Sequence, residues 1–291
     1  MNAVQAIATP AATPPTRATI WRRLLADRAA AVAALLLSVL IVAAILAPLI
    51  APYDPYAINL GKAIRTPDGE NWLGTDATGR DIFSRVLYGM RLTLLMGVMS
   101  VLVGGLLGAA IGVLAAFYKR IDGVVMRVID MLLAFPAILI GLAAAAIFGP
   151  GLGAVIFALI FATVPDVARI ARGAAVGVAS QEFLEAGRAI GLSDRVLLWR
   201  YLALNCASTI FVFLTLRFGQ VILIGSALGF LGLGAQPPTA ELGMMAADGR
   251  GLLFLAPHIV TIPCVFIFLI VLAANVVGDA LRDVLDPRLV A

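Results

Sequence analysis

A chain of 291 residues that is 62% hydrophobic and only 13% charged, with a mean hydropathy of +1.04, is excluded from the ordinary soluble class, whose domains run near half apolar and a quarter charged. The formal net charge of +4 is too small for a nucleic-acid surface and suits the basic flanks of membrane spans. Two cysteines (Cys206 and Cys264) and a single histidine (His258) offer no disulfide framework and no metal-ligand spacing, so neither metal nor cofactor is expected.

In chain order, residues 1–16 are rich in Ala, Thr and Pro and read as a disordered start. Arg17, Arg22, Arg23 and Arg28 then flank an uncharged run over 29–51. As a helix this run is about 34 Å long, enough to cross a bilayer. It is too long and too far from the terminus for a secretory signal. Residues 52–91 form a polar connection rich in turn formers, including Pro52, Pro55, Pro67 and Asp68. Within it Asp76, Arg80, Asp81 and Arg85 are expected to form a small ion network. Five further apolar stretches follow at 92–117, 131–148, 152–170, 207–233 and 258–278. Gly104, Gly108 and Gly112 recur every four residues and predict close helix packing. Pro136 and Pro165 are expected to kink their spans. Asp130 and Asp166 are expected to pair with Arg127 and Arg169 along their own helices.

Six spans divide the chain into a tail (1–28), a first span with an outer segment (29–91), a transmembrane domain (92–279) containing a loop at 171–206, and a second tail (280–291). Placing the N-terminus in the cytoplasm puts 14 of the 21 Lys and Arg on the cytoplasmic side and six outside. Arg217 completes the set within a span. Both termini are therefore expected to be cytoplasmic. Arg217 would face the bundle interior or a wet cavity. It could line a pore, pair with an acid on a neighbouring helix or subunit, or snorkel to the cytoplasmic edge of the membrane.

The 171–206 loop is the most informative segment. Ser180 suits a helix cap, and Glu182 then sits in the favourable first turn. Phe183, Ala186, Gly187 and Ile190 fall on one face, with Glu182, Glu185 and Arg188 mostly on another. Gly191 suits the left-handed residue that ends a helix, and Ser193 the cap of a second. Two short helices with a sharp bend are predicted, and such an amphipathic helix can lie in a groove of a partner or on the membrane surface.

Glu185-Ala186-Gly187, with Gly191 six residues after Glu185, resembles the EAA loop of ABC importer permeases. Gly187 replaces the commoner second alanine, and Leu204 stands where that family usually carries proline. Three further stretches resemble the dipeptide/oligopeptide/nickel subfamily. They are Trp72 to Asp81, Gly229 to Pro238 with Asp248-Gly249-Arg250, and the tail Asn275 to Arg288. The tail resembles the signature of the C-type subunit. This resemblance implies an all-α type I importer permease of the bacterial cytoplasmic membrane that forms half of a translocation pathway for di- or oligopeptides. It also implies a homologous B-type permease, two ATPase subunits and an extracytoplasmic solute-binding protein as partners. Glu182, Glu185, Ala186, Gly187, Arg188 and Gly191 would couple to an ATPase. No nucleotide-cradling Gly-x-x-x-x-Gly-Lys-Ser/Thr loop is present, and the only lysines are Lys62 and Lys119. No catalytic set can be assembled around His258, so ATP hydrolysis would belong to partner subunits. A self-sufficient secondary transporter would need paired acids at mid-span, which the sequence does not offer.

Overall fold

The structure, a computed structural model, describes residues 27–285. Arg17, Arg22, Arg23 and the end of the C-type tail motif lie outside the described residues, as does the 1–16 start. Among the described residues the fold is helical, with one isolated bridge between Thr75 and Asp81.

Helix α1 (Arg28–Ile45) is capped by the Asp27 carboxylate, which accepts the Ala29 N–H at 2.9 Å. Only Ala30, Ala33, Leu40 and Ala44 are buried, while Leu35, Val39 and Val42 point outward. That narrow buried stripe packs along the last helix and α3, and the apolar exterior suits lipid. The short α2 (Ala47–Ile50) leads into the 51–81 segment. Helix α3 (Ile82–Phe117) has 36 residues, about 54 Å at 1.5 Å each, so it overshoots a bilayer core of about 30 Å. It starts ten residues before the expected span. The Asp81 carboxylate accepts the Ser84 N–H at 2.8 Å and nucleates the helix there.

The expected third span is broken rather than kinked. Helices α4 (Lys119–Leu133) and α5 (Ala137–Phe148) meet at 86° across a break of three residues. Pro136 sits at the N-cap of α5, where its missing N–H costs nothing, and it disfavours helical backbone at Phe135. Helix α6 (Leu152–Ala179) runs uninterrupted through Pro165 and extends nine residues past its expected end. Helix α7 (Glu182–Ala189) and one short turn, α8 (Asp194–Val196), precede a π-helical stretch at Leu197–Ala203. That stretch enters α9 (Leu204–Phe230) without a break, since Leu204 keeps the N–H that a proline would lack. Helix α10 (Leu242–Gly249) is short, and α11 (His258–Leu285) completes the bundle.

Five helices are long and apolar enough to cross a membrane, or six if the bent α4–α5 pair is counted as one span. The glycine series holds the centre together. A Cβ on Gly104 would lie 2.9 Å from the Thr163 side chain, and one on Gly108 would lie 2.6 Å from the Val164 carbonyl. Hydrogen there lets the α3 backbone contact α6 directly, the most extensive helix pairing in the molecule. Helix α9 packs on both α3 and α6, and α11 packs mainly on α9.

Candidate functional site

Two clusters sit at opposite ends of the bundle. At one end, α7 turns back on the helices that flank it. Leu184 and Gly187 are buried, and they pack with Leu197, Leu198 and Leu202 on Val113, Ala116, Ala171 and Ala175. A Cβ on Gly187 would lie 2.8 Å from Leu197 Cδ2, so this glycine is consumed by packing inside the chain. Glu182, Phe183, Glu185, Ala186, Ala189 and Ile190 are exposed, Ile190 to 76%. The expected apolar face is therefore corrected. Leu184 and Gly187 face inward because Leu197 and Leu192 approach from the next turn, while Phe183, Ala186 and Ile190 face out. Arg188 stands with its guanidinium carbon 5.9 Å from the Phe117 ring, against the end of α3.

The helix ends as the sequence predicts. Gly191 has φ +81°, its N–H donates to the Arg188 carbonyl, and the Leu192 N–H donates to the Gly187 carbonyl at 3.1 Å. This pair of bonds is the Schellman arrangement, and a left-handed residue is required at its centre. Ser180 behaves otherwise. Its hydroxyl donates to the Gly177 carbonyl at 3.0 Å and so closes α6 rather than capping α7, whose N-cap is Gln181. Ser193 occupies the N-cap of α8 without a side-chain bond to the backbone.

Helix α6 carries three charges spaced three residues apart, and each pairs with another helix. Asp166 Oδ2 meets Arg217 Nη2 at 2.6 Å, Arg169 pairs with Asp130, and Arg172 grips Asp122 in a two-pronged contact at 2.6 and 2.7 Å. The expected pairing of Asp130 and Asp166 within their own helices is replaced by these cross-helix bridges. Spacing along one helix predicts only neighbours on that helix, and the packing offers closer ones. Arg217 Nη1 also donates to Gln220 Oε1 at 2.8 Å, and Nη2 to the Ala162 carbonyl at 3.3 Å. Of the three readings left open for Arg217, its contacts are those of a helix-to-helix pair.

At the other end, the 51–81 segment and the 229–250 segment meet over the start of α3. Arg80 Nε donates to Asp76 Oδ2 at 2.6 Å, and the nearly sealed Arg85 (2% exposed) stands 3.5 Å from the same oxygen. Arg85 Nη1 also donates to the Pro55 carbonyl at 3.1 Å and to that of Pro238 at 3.4 Å. Gly79, at φ +76°, turns the chain so that Asn59 N–H can reach the Thr78 carbonyl. Burial opposes ionisation of Asp76, yet the Arg80 N–H, the Thr78 hydroxyl and the Arg80 guanidinium outweigh it and hold the carboxyl below the usual range. The expected network is present with one exchange. Asp81 accepts from Ser84 and from Asn71 Nδ2 instead of an arginine, and Asp248 of α10 joins, 3.8 Å from Arg80 Nη2. Burial pushes the Asp248 carboxyl up against the pull of Arg85 and Arg80.

Sequence reading missed Glu241. It is 1% exposed, caps α10 by accepting the Gly243 and Met244 N–H groups at 2.9 Å, and receives the Thr93 hydroxyl at 3.2 Å. Burial pushes its carboxyl up, against those donors. The only signal was an acid placed directly before an apolar run, a cap pattern too common to single out.

The fold is one found in chains of ABC transporters. It is shared with the inward-facing MetNI methionine ABC transporter (TM-score 0.58, 20% identity, covering 69% of this chain and 96% of that one). It is shared also with an amino acid ABC transporter (TM-score 0.53, 19% identity, covering 68% and 92%). The chain belongs to the family of binding-protein-dependent transport system inner membrane components, which matches residues 82–291. Residues 17–67 match the N-terminal transmembrane domain of oligopeptide transport permease C. Similar proteins include the glutathione transport system permease protein GsiD of Pectobacterium atrosepticum, 41% identical over 92% of this chain and 90% of that one. The GsiD of Escherichia coli O157:H7 is 43% identical over 92% and 89%. The chain is thus a C-type permease of the peptide-type ABC importers, a multi-pass inner-membrane protein whose ATP hydrolysis is performed by a separate subunit. Such a permease works with a second permease, ATPase subunits and a binding protein.

Proposed function

We propose that this chain forms half of an inward pathway for short peptides, glutathione among them, beside a homologous B-type permease. Two ATPases and an extracytoplasmic binding protein complete the assembly. The observation that carries the peptide reading is the 41–43% identity to glutathione permeases across nine-tenths of both chains. Both termini lie in the cytoplasm on this reading, supported by the excess of Lys and Arg on the side that holds α7. The exposed face of α7, with Glu182, Glu185 and Ala186, docks on an ATPase. Gly187, Arg188 and Gly191 hold that face in place from within the chain. When the ATPases close on ATP, α7 carries the motion through Leu184 and Gly187 into α3 and α6, and the pathway changes its open side. Selectivity rests mainly with the binding protein.

The test is uptake by proteoliposomes holding the whole complex with its binding protein and internal ATP. Labelled glutathione and di- and tripeptides are expected to enter only with ATP, and excess unlabelled tripeptide should suppress entry. Uptake of none of these, in vesicles whose ATPase responds to the loaded binding protein, would remove the peptide reading.

A further inference from the structure

Between the 51–81 segment and α10 lies a cavity of about 530 Å³, within the range of small-molecule sites. Exposed apolar residues, Ile58, Ala77 and Pro237, form its rim, and Asp76, Arg80 and Asp248 lie within. The charges inside are unevenly satisfied. Asp76 accepts from the Thr78 hydroxyl and from Arg80 Nε, so it is fully engaged. Asp248 accepts no hydrogen bond among the described residues, although its side chain is only 32% exposed. Its nearest cation, Arg80 Nη2, stands 3.8 Å away, beyond hydrogen-bond length. The two groups belong to different segments, each fixed by its own bonds. Arg80 is tied to Asp76, and Asp248 rides on α10, which Glu241 pins to α3 through Thr93. A half-buried carboxylate and a guanidinium are therefore held open inside a cavity, and closing the gap needs a guest with a donor and an acceptor.

Charge selects the guest. Two arginines, Arg80 and Arg85, face two acids, Asp76 and Asp248, so the cavity is balanced without a ligand. An anion or a metal cation would upset that balance among partly buried charges. A zwitterion would not. We propose that this cavity is a binding site for the charged ends of a short zwitterionic peptide, its ammonium on Asp248 and its carboxylate on Arg80. It would hold the peptide at the mouth of the pathway. The proposal rests on the peptide reading above and names a site for that substrate class.

The test uses the assembled permease–ATPase complex in nanodiscs, with Cys206 and Cys264 replaced by alanine and Ala77→Cys placed on the exposed rim. The rate of N-ethylmaleimide labelling is measured with triglycine and with its N-acetyl, C-amide form. Triglycine should slow labelling roughly tenfold when it exceeds its Kd about tenfold. The capped peptide should not. Asp248→Asn should abolish protection, and Asp248→Glu, which keeps the carboxylate, should retain much of it while showing that the segment still folds. Unchanged labelling under triglycine, equal protection by the capped peptide, or full protection in Asp248→Asn would each overturn the site. Protection by the binding protein alone, with none by triglycine, would instead make this surface a protein docking face and also overturn it. Absence of protection in a complex that still imports peptides sinks the site alone. Protection without import leaves the site standing and removes the transport reading.

Discussion

Arg217 and Asp166 join α9 to α6, and removing either one leaves a partly buried charge without its partner. Breaking a buried pair costs about 3–5 kcal/mol, and less is expected here because Asp166 keeps 30% of its side-chain surface. Arg217→Leu and Asp166→Leu should each lower the melting temperature of the purified complex. The double variant should recover at least part of the loss and should still transport. A double variant that melts normally but fails to import would make Arg217 a pathway residue instead. Gly191 acts through its backbone. Valine at φ +81° meets the left-handed penalty of about 1–2 kcal/mol, so Gly191→Val should loosen α7 and expose residues 182–190 to protease while membrane levels persist. Gly191 was legible beforehand because glycine alone suits that position after an amphipathic run. The Arg217 partner was not, because a cross-helix pair depends on how two helices pack and leaves no mark in local spacing.

Helix packing decides what happens at the next scale. Gly108→Leu would drive a side chain into the Val164 carbonyl, and overpacking of this kind costs about 1–3 kcal/mol. A melting temperature lowered by several degrees is expected, because α3 has no room to retreat from α6 along the Gly104–Gly112 stripe. The five long spans could be read from hydropathy, since composition alone marks an apolar run. The break in the expected third span could not. Hydropathy averages over a window and ignores direction, so Ala134-Phe135-Pro136 looked like the inside of a span, whereas the chain turns through 86° there. The lengths of α3 and α6 were also hidden, because their extensions are held by caps and by packing rather than by an apolar run.

Sidedness belongs to the whole molecule. Asn71 lies in the polar 52–91 connection and Ala240 between the apolar stretches 207–233 and 258–278, yet they are 4% and 0% exposed. Glu70 and Phe254 are exposed at the same end of the bundle and serve better. In a chain without native cysteines, Glu70→Cys and Phe254→Cys should react with an impermeant reagent added outside intact cells. Reaction only after the cells are opened would reverse the orientation.

On the function proposed above, α7 is the contact through which an ATPase drives the bundle. A photo-crosslinking amino acid placed in turn at each position from Glu182 to Ile190 of the assembled complex tests this directly. Crosslinks to the ATPase are predicted at Glu182, Glu185, Ala186 and Ala189, which face outward, and none at Leu184 or Gly187, which are buried against Leu197. An ATPase crosslink absent from every outward position, or equally strong at Leu184, would contradict the account.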